Sequence, residues 1–255
     1  MIKKLGRRPA IFTAPRMRAS FAVNEVLASF GPPPVASANF IASVKHPWGM
    51  YLNDQLGDCV CADTAHGLLL RTSCAGTPVV AADSDVLALY EAVGGYKPGD
   101  PSTDQGCNEG DMCEYLITTG FLGHKSTGTA SVVTGQVTST LIDHMKWACQ
   151  IFVGLRLGVN LPASAETQFD GGVPWDVGGD ETIVGGHDVG MGGYTPQYAL
   201  VTTWGAVQKV TWPWIMKFVE EAHAEIFADA IRANGLTPGG FHLATLERDL
   251  AALAV

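Results

Sequence analysis

The chain has 255 residues, of which 47% are hydrophobic and 16% are charged. This composition excludes a disordered chain and allows one substantial core or two lobes that share an interface. The net charge of −9 argues against a general nucleic-acid binder, and no apolar run in the sequence approaches the roughly 18 residues of a membrane-spanning helix.

Residues 1–45 are predicted to form an extended basic arm. Six basic side chains and no acidic one precede Glu25, and the run Pro32–Pro34 prevents a long helix. Such an arm can dock on its own acidic body, on a neighbouring copy or on another acidic partner, so self-association through it is one expectation. No apolar segment follows the basic residues, which argues against a secretion signal, and the six cysteines then suit a reducing, cytoplasmic compartment.

The first half of the chain after the arm has the periodicity of helices. Asp58 stands in the N-cap position of the first of them, and Gly57 permits a sharp entry of the chain. The apolar spacing predicts four helices, which cover residues 59–71, 84–93, 111–119 and 140–150.

The second half changes to the two-residue alternation of strands. Strands are predicted over residues 151–161, 184–194, 198–204 and 207–211, a helix over residues 212–226, and loops over residues 160–180. Early helices and late strands predict an α+β fold of two lobes over residues 46–226, with a helical tail over residues 227–255 packed on it.

Cys59 and His187 are the candidate catalytic pair. Cys59 opens the first predicted helix, where unpaired N–H groups and the helix dipole favour a thiolate. His187 follows Gly185 and Gly186 about 130 residues later, a separation typical of papain-type enzymes. A histidine beside a cysteine can form a thiolate–imidazolium pair, so Cys59 is predicted to be the nucleophile and His187 the general base and acid. The simpler alternative is that both are packing residues in a core.

Gln55 is the candidate oxyanion donor. Its side-chain amide, four residues before Cys59, could donate to a developing oxyanion beside the Cys59 backbone N–H. A zinc site formed by Cys59, Cys61 and His66 is an alternative hypothesis. It is disfavoured because the sequence has no second Cys/His pair with finger-like spacing. No metal or cofactor is therefore expected.

Three segments resemble the active-site elements of papain-like cysteine peptidases. Asp54–Cys59 resembles the start of their active-site helix, Gly186–Tyr194 their histidine strand, and Thr202–Gly205 their Asn-Ser-Trp-Gly element. The motifs are most similar to those of uncharacterised bacterial and phage-encoded members. The resemblance covers about residues 48–226 and implies the two-lobed papain-like fold, with a helical lobe and an antiparallel β lobe.

The resemblance implies hydrolysis of a peptide or amide bond through a thioester, with a peptide or protein as substrate. It places Thr202 where these enzymes carry the asparagine that orients the histidine, so the Thr202 hydroxyl is expected to take that role. It also shows a departure, because Gln55 lies four residues before the cysteine where the enzymes have a spacing of six. The alternative is a catalytically lapsed scaffold that acts as a structural or assembly protein, for instance in the virion of a bacteriophage.

Overall fold

The change from helices to strands along the sequence is present in the computed structural model, which describes residues 3–9, 34–227 and 236. The α-helices within these residues are α1 (Cys59–Ala75), α2 (Asp83–Gly94), α3 (Glu109–Thr118), α4 (Ser139–Phe152), α5 (Ala163–Asp170) and α6 (Trp212–Phe218). The strands are β1 (Arg7–Arg8), β2 (Ala38–Asn39), β3 (Cys107–Asn108), β4 (Ser126–Thr134), β5 (Leu155–Pro162), β6 (Ile183–Tyr194), β7 (Tyr198–Thr203), β8 (Ala206–Thr211) and β9 (Val219–Phe227).

A seven-stranded sheet forms the larger half of the fold. Six strands follow the spatial order β4-β9-β5-β6-β7-β8, and the short β2 pairs with β6 outside this path. Every pairing in this sheet is antiparallel. The central strands are apolar on one face, and they enclose a core with α4 and α6 that is built from large side chains such as Met145, Leu157, Met191, Trp175 and Trp214.

The smaller half of the fold is helical and has its own core. Helix α1 packs against α2 and α3 and, through its other side, against β6 of the sheet. The buried side chains of this core include Val60, Leu68, Tyr90, Met112 and Leu116. Because α1 lies between the two halves, its first residue lies where they meet.

The helix predicted over residues 212–226 is wrong in its second part. Helix α6 ends at Phe218, and Val219–Phe227 form β9, which lies between β4 and β5. Glu221, His223 and Glu225 alternate with alanines and Ile226, and all three polar side chains are buried in ion pairs or hydrogen bonds. This alternation of charged and apolar residues has the period of a strand, which apolar spacing alone does not reveal.

Two further elements differ from the sequence prediction. The edge strand β4 was not expected, and α5 lies inside the predicted loop over residues 160–180. Helix α4 also continues to Phe152, so the strand predicted from residue 151 begins only at Leu155. The other predicted helices and strands lie within a few residues of their expected bounds.

The predicted α+β class, with a helical part and an antiparallel sheet, is confirmed. Apart from Phe227, which ends β9, and Leu236, the helix predicted for the C-terminal tail lies outside the described residues. Among the helices in the described ranges, none has the length and apolar character that a membrane crossing requires.

Candidate active site

Cys59 is the first residue of α1 and lies at the junction of the two halves. Its N-cap is Asp58, as the sequence predicts, but the Asp58 side chain does not cap the helix. It accepts instead a hydrogen bond of 3.1 Å from Nδ2 of Asn53, in a site where burial raises the pKa of Asp58 to about 8. Cys59 is itself only 1% exposed, and the backbone N–H groups of Gly6 and Asp188 face its sulfur.

His187 lies on β6, the strand that passes beside the Cys59 sulfur. Its Nε2 is 2.7 Å from Oγ1 of Thr203, and the ring stacks on Trp204 with 4.7 Å between ring centroids. Its Nδ1 is buried without a hydrogen-bond partner among the described residues. One ring nitrogen is therefore held by a hydroxyl under an aromatic cover, and the other is buried without a described partner.

Thr203, and not Thr202, supplies the hydroxyl that contacts the imidazole. The Oγ1 of Thr202 donates instead to the carbonyl oxygen of Gly190, at 3.3 Å. The reason is the backbone at the end of β7, where Trp204 has a φ of 45° in a turn with Gly205. This left-handed residue breaks the strand alternation, so Thr203 and Trp204 both contact the ring.

Gln55 is exposed, and its side-chain amide lies 3.5 Å from a carboxylate oxygen of Asp54. Asn53 is the amide that the fold places in the cleft: it is 2% exposed, and its Nδ2 lies 3.3 Å from the carbonyl oxygen of Lys4. Asn53 also precedes Cys59 by six residues, the spacing that the papain-like enzymes have before their cysteine. The spacing of six residues was therefore the signal in the sequence that indicated Asn53. The prediction missed it because it looked for a glutamine and chose Gln55.

Residues 3–9 lie in the cleft between the two halves. The Lys4 N–H donates to the carbonyl oxygen of Asn53 at 3.0 Å, and the Cys107 N–H donates to the carbonyl oxygen of Gly6 at 2.8 Å. Strand β1 then pairs in parallel with β3. The Nζ of Lys3 reaches Asp170 at 2.7 Å and lies 4.9 Å from the ring centroid of Trp204. The segment therefore covers both Cys59 and the aromatic neighbour of His187.

Glycines make this close passage possible. A Cβ at Gly6 would overlap the carbonyl oxygen of Gly57, and a Cβ at Gly106 would overlap the carbonyl oxygen of Gly6. On the opposite wall, Gly185 lies against Leu5 and Gly186 against the Arg7 carbonyl oxygen. Only a residue without a side chain passes the narrowest point, between Gly57 and Gly106.

Burial keeps the candidate pair uncharged. Burial, together with the nearby charge of Asp188, raises the pKa of the Cys59 thiol well above its usual range. Burial, with a smaller effect of His66, lowers the pKa of His187 to about 3. In this arrangement the site holds a neutral thiol and a neutral imidazole, because neither charge is solvated.

Arg156 joins the two halves behind the site. From β5 its guanidinium donates to the Val60 carbonyl oxygen at 3.0 Å and to Thr64 Oγ1 at 2.7 Å, both on α1. It also contacts the carboxylates of Asp188 and Glu225. This buried network fixes the start of α1 relative to β6, and with it the position of Cys59 relative to the strand of His187.

The zinc reading with Cys59, Cys61 and His66 has no support in the geometry. His66 Nε2 is hydrogen-bonded to the Gly49 carbonyl oxygen at 2.8 Å, and the Cys61 sulfur lies 3.6 Å from that of Cys107. The residues that the structure describes contain a different group with metal-ligand spacing, formed by Glu109, Glu221 and His223, and both of its carboxylates pair with the guanidinium of Arg7.

A helical half packed against an antiparallel sheet is the papain-like fold of solved cysteine proteases. Procathepsin B of Trypanosoma congolense superposes with a TM-score of 0.58 at 10% identity, over 89% of this chain and 86% of that chain. A mite allergen of the Blo t 1 and Der p 1 pair gives 0.53 at 10% identity, over 88% and 75%. A cysteine protease of Carica candamarcensis gives 0.50 at 11% identity, over 75% and 98%.

Neither a protein-family model nor a curated protein matches the sequence. At identities near a tenth, the structural neighbours establish the papain-like fold and nothing finer. The expected similarity to bacterial and phage-encoded members, the virion and cytoplasmic locations, and self-association through the arm stay predictions. Of that arm, residues 3–9 bind within their own chain.

Proposed function

We propose that the protein is a papain-like cysteine hydrolase that cleaves peptide or amide bonds, with Cys59 as nucleophile and His187 as general base and acid. The observation that carries the proposal is the setting of His187: Nε2 bonded to Thr203 beneath Trp204, and a buried Nδ1 left without a partner on the strand beside Cys59. Most buried side-chain nitrogens in folded proteins have a hydrogen-bond partner.

The reaction follows from these groups. With the cleft open, Nδ1 of His187 takes the thiol proton, and the Cys59 sulfur attacks the carbonyl carbon of the substrate. The oxyanion that forms is stabilised by the backbone N–H of Cys59 and by Nδ2 of Asn53. The C–N bond breaks as His187 gives its proton to the leaving nitrogen, which yields a free amine and a thioester. Water then attacks the thioester, His187 takes its proton, and release of the acid restores the thiolate–imidazolium pair.

Access to the site requires a change in the N-terminal segment. The sulfur of Cys59 lies under Gly6, so a substrate carbonyl can reach it only where residues 3–9 have left the cleft. The present structure is therefore a closed form, in which residues 3–9 fill the cleft. The hydrogen bonds of Lys4 with Asn53 and of Gly6 with Cys107 are those that an incoming substrate backbone would replace.

The test is hydrolysis of a mixed peptide pool by the Gly6→Ala variant, followed by mass spectrometry. We expect cleavage that is lost in Gly6→Ala/Cys59→Ala and retained in Gly6→Ala/Cys61→Ala. Cys61 is the matched control because it is equally buried two residues further along the same helix. Cleavage that survives the loss of Cys59 would contradict the proposal.

The lapsed-scaffold alternative is an outcome of the same experiment. Cys59 that becomes accessible in Gly6→Ala but reacts with iodoacetamide like an ordinary thiol, with no peptide cleaved, would indicate a papain-like fold without catalysis. His187→Ala separates the two cases further, because it slows alkylation only where the imidazole activates the thiol.

A further inference from the structure

Arg7 occupies an acidic pocket in the floor of the cleft. Its Nε lies 3.0 Å from Glu109 Oε1, its Nη1 lies 3.1 Å from Glu220 Oε2, and its Nη2 contacts Glu221. The Arg7 side chain is 1% exposed, so the guanidinium is enclosed almost completely. Three of its nitrogens thus meet three different carboxylates.

The pocket belongs to the body of the protein and is shaped for a planar cation. Glu109 begins α3, Glu220 and Glu221 lie on β9, and Gly158 of β5 forms the wall. A Cβ at Gly158 would overlap both Glu109 Oε1 and the Arg7 guanidinium. The absence of a side chain at this position is therefore what leaves room for the ligand.

Other side chains hold the carboxylates in place from behind. His223 Nε2 lies 3.2 Å from Glu221 Oε2, while its Nδ1 lies 3.0 Å from Ser131 Oγ. Asn160 donates to Glu220 from the neighbouring strand. Glu109 is fully buried, and its Oε2 lies 3.6 Å from His223 Nε2, beyond hydrogen-bond distance. Glu220 and Glu221 are therefore positioned by groups other than Arg7.

A guanidinium satisfies this pocket better than an ammonium. Its five donors lie in one plane and can reach separate carboxylates at once, whereas a lysine offers one compact charge. Burial lowers the pKa of Arg7, but the charges of Glu109 and Glu221 outweigh this and raise it overall. Without Arg7 the pocket would hold the charges of Glu220 and Glu221 without their cation, while burial raises the pKa of Glu109 to about 8.

We propose that this pocket is the specificity subsite of the cleft and that it binds the arginine side chain of a peptide substrate, with Arg7 as its occupant in the closed form. The proposal deepens the proposed function, since it names the substrate class of the same cleft, but binding itself does not require Cys59. Recognition and hydrolysis can therefore fail separately.

The first experiment measures peptide binding to the full chain with Gly6→Ala, Arg7→Ala and Cys59→Ala, in which the segment neither fits the cleft nor fills the pocket. Fluorescently labelled peptides that differ only in arginine or citrulline are titrated by anisotropy. Citrulline has the shape of arginine without its charge. We expect the arginine peptide to bind at least about tenfold more tightly, and Glu221→Gln to reduce this preference. Equal affinities for the two peptides would overturn the proposal.

A second measurement needs only Arg7→Ala in the full chain. Ethylguanidinium is expected to raise the Tm of this variant, or to restore its fold if it is partly unfolded, whereas ethylammonium at the same concentration has a smaller effect. The wild-type protein, whose pocket is filled, serves as control and should show neither response. No difference between the two cations would again overturn the guanidinium assignment.

Hydrolysis by the Gly6→Ala/Arg7→Ala variant, with Cys59 intact, separates the two proposals. If the arginine peptide binds selectively but is not cleaved, the subsite stands and the hydrolase proposal fails. If the arginine and citrulline peptides are cleaved equally well, the hydrolase proposal stands and the arginine subsite fails.

Discussion

The hydroxyl of Thr203 lies 2.7 Å from Nε2 of His187, while the hydroxyl of its neighbour Thr202 is turned to the carbonyl oxygen of Gly190. Two threonines in succession thus have different partners, and only one can orient the imidazole. The contact lies beneath Trp204, which excludes water from it and so strengthens the hydrogen bond.

Thr203→Val is expected to lower kcat/KM for peptide cleavage by the Gly6→Ala variant by about ten- to a hundredfold, because the ring loses the acceptor or donor that fixes its tautomer. Thr202→Val removes the same atoms one residue earlier and serves as the matched control. An equal loss in both variants would contradict the assignment of Thr203. A pH profile of Cys59 alkylation would show whether the pKa of the imidazole has changed.

Asn53→Ala is expected to lower kcat by about 10²–10³, the effect of removing one oxyanion donor. Asn53 also bonds to Asp58, so circular dichroism must first show that the start of α1 is retained. Gln55→Ala should leave kcat unchanged, since that side chain is exposed. A large loss in Gln55→Ala with none in Asn53→Ala would restore the original prediction.

Gly6→Ala is expected to accelerate alkylation of Cys59 at neutral pH, because the added Cβ cannot pass Gly57 and the segment must move. Gly128→Ala is the control: its Cβ would meet only a methyl group of Ile226 at an ordinary 3.7 Å. The rate is measured by mass spectrometry of the Cys59 peptide. Equal rates in the two variants would mean that residues 3–9 do not limit access.

His66 is expected to make the protein sensitive to acid. Burial lowers its pKa to about 4, although the hydrogen bond with Gly49 acts in the other direction. Between pH 6.5 and about 4 the unfolded chain binds a proton that the folded chain does not, so stability falls as the pH falls. His66→Gln should weaken this fall by on the order of 3 kcal/mol at its maximum, as measured by urea unfolding.

The comparison between variants is needed because other groups act in the opposite sense. Burial raises the pKa of Asp58 and Glu109 to about 8, and such carboxyls favour the folded state as the pH falls toward 4.5. His46→Gln, at an exposed position, should follow the wild-type curve. A His66→Gln curve parallel to the wild type would refute the prediction.

Arg156→Met is expected to cost about 3–5 kcal/mol of unfolding free energy, since Asp188 would remain buried without its cation and Glu225 would keep only Arg71. Lys146→Ala breaks the surface pair with Asp143 and should cost less than about 1 kcal/mol. Urea unfolding compares them. A small effect of Arg156→Met would show that the buried carboxyls take up protons at little cost.

The sequence was sufficient to place Cys59 at the start of a helix and His187 on a strand, and for the order of most helices and strands, because helix-start chemistry and apolar periodicity are local signals. It was insufficient for contacts that depend on an unusual backbone conformation or on residues far apart along the chain. Thr203 and Trp204 contact the imidazole together because Trp204 has a left-handed backbone conformation, which residue propensities do not predict. Burial of Arg7 depends on carboxylates that lie more than a hundred residues away along the chain.

The position of Arg156 also determines how the cleft can open. Its guanidinium is shared between α1 and the sheet, so a hinge motion that separates the halves would strip buried ions of their partners. Removal of residues 3–9 breaks backbone hydrogen bonds and the ion pairs of Lys3 and Arg7, and a guanidinium bound in place of Arg7 would restore the ion pairs of its carboxylates. Under the proposed function, one peptide can therefore replace another without movement of the walls of the cleft.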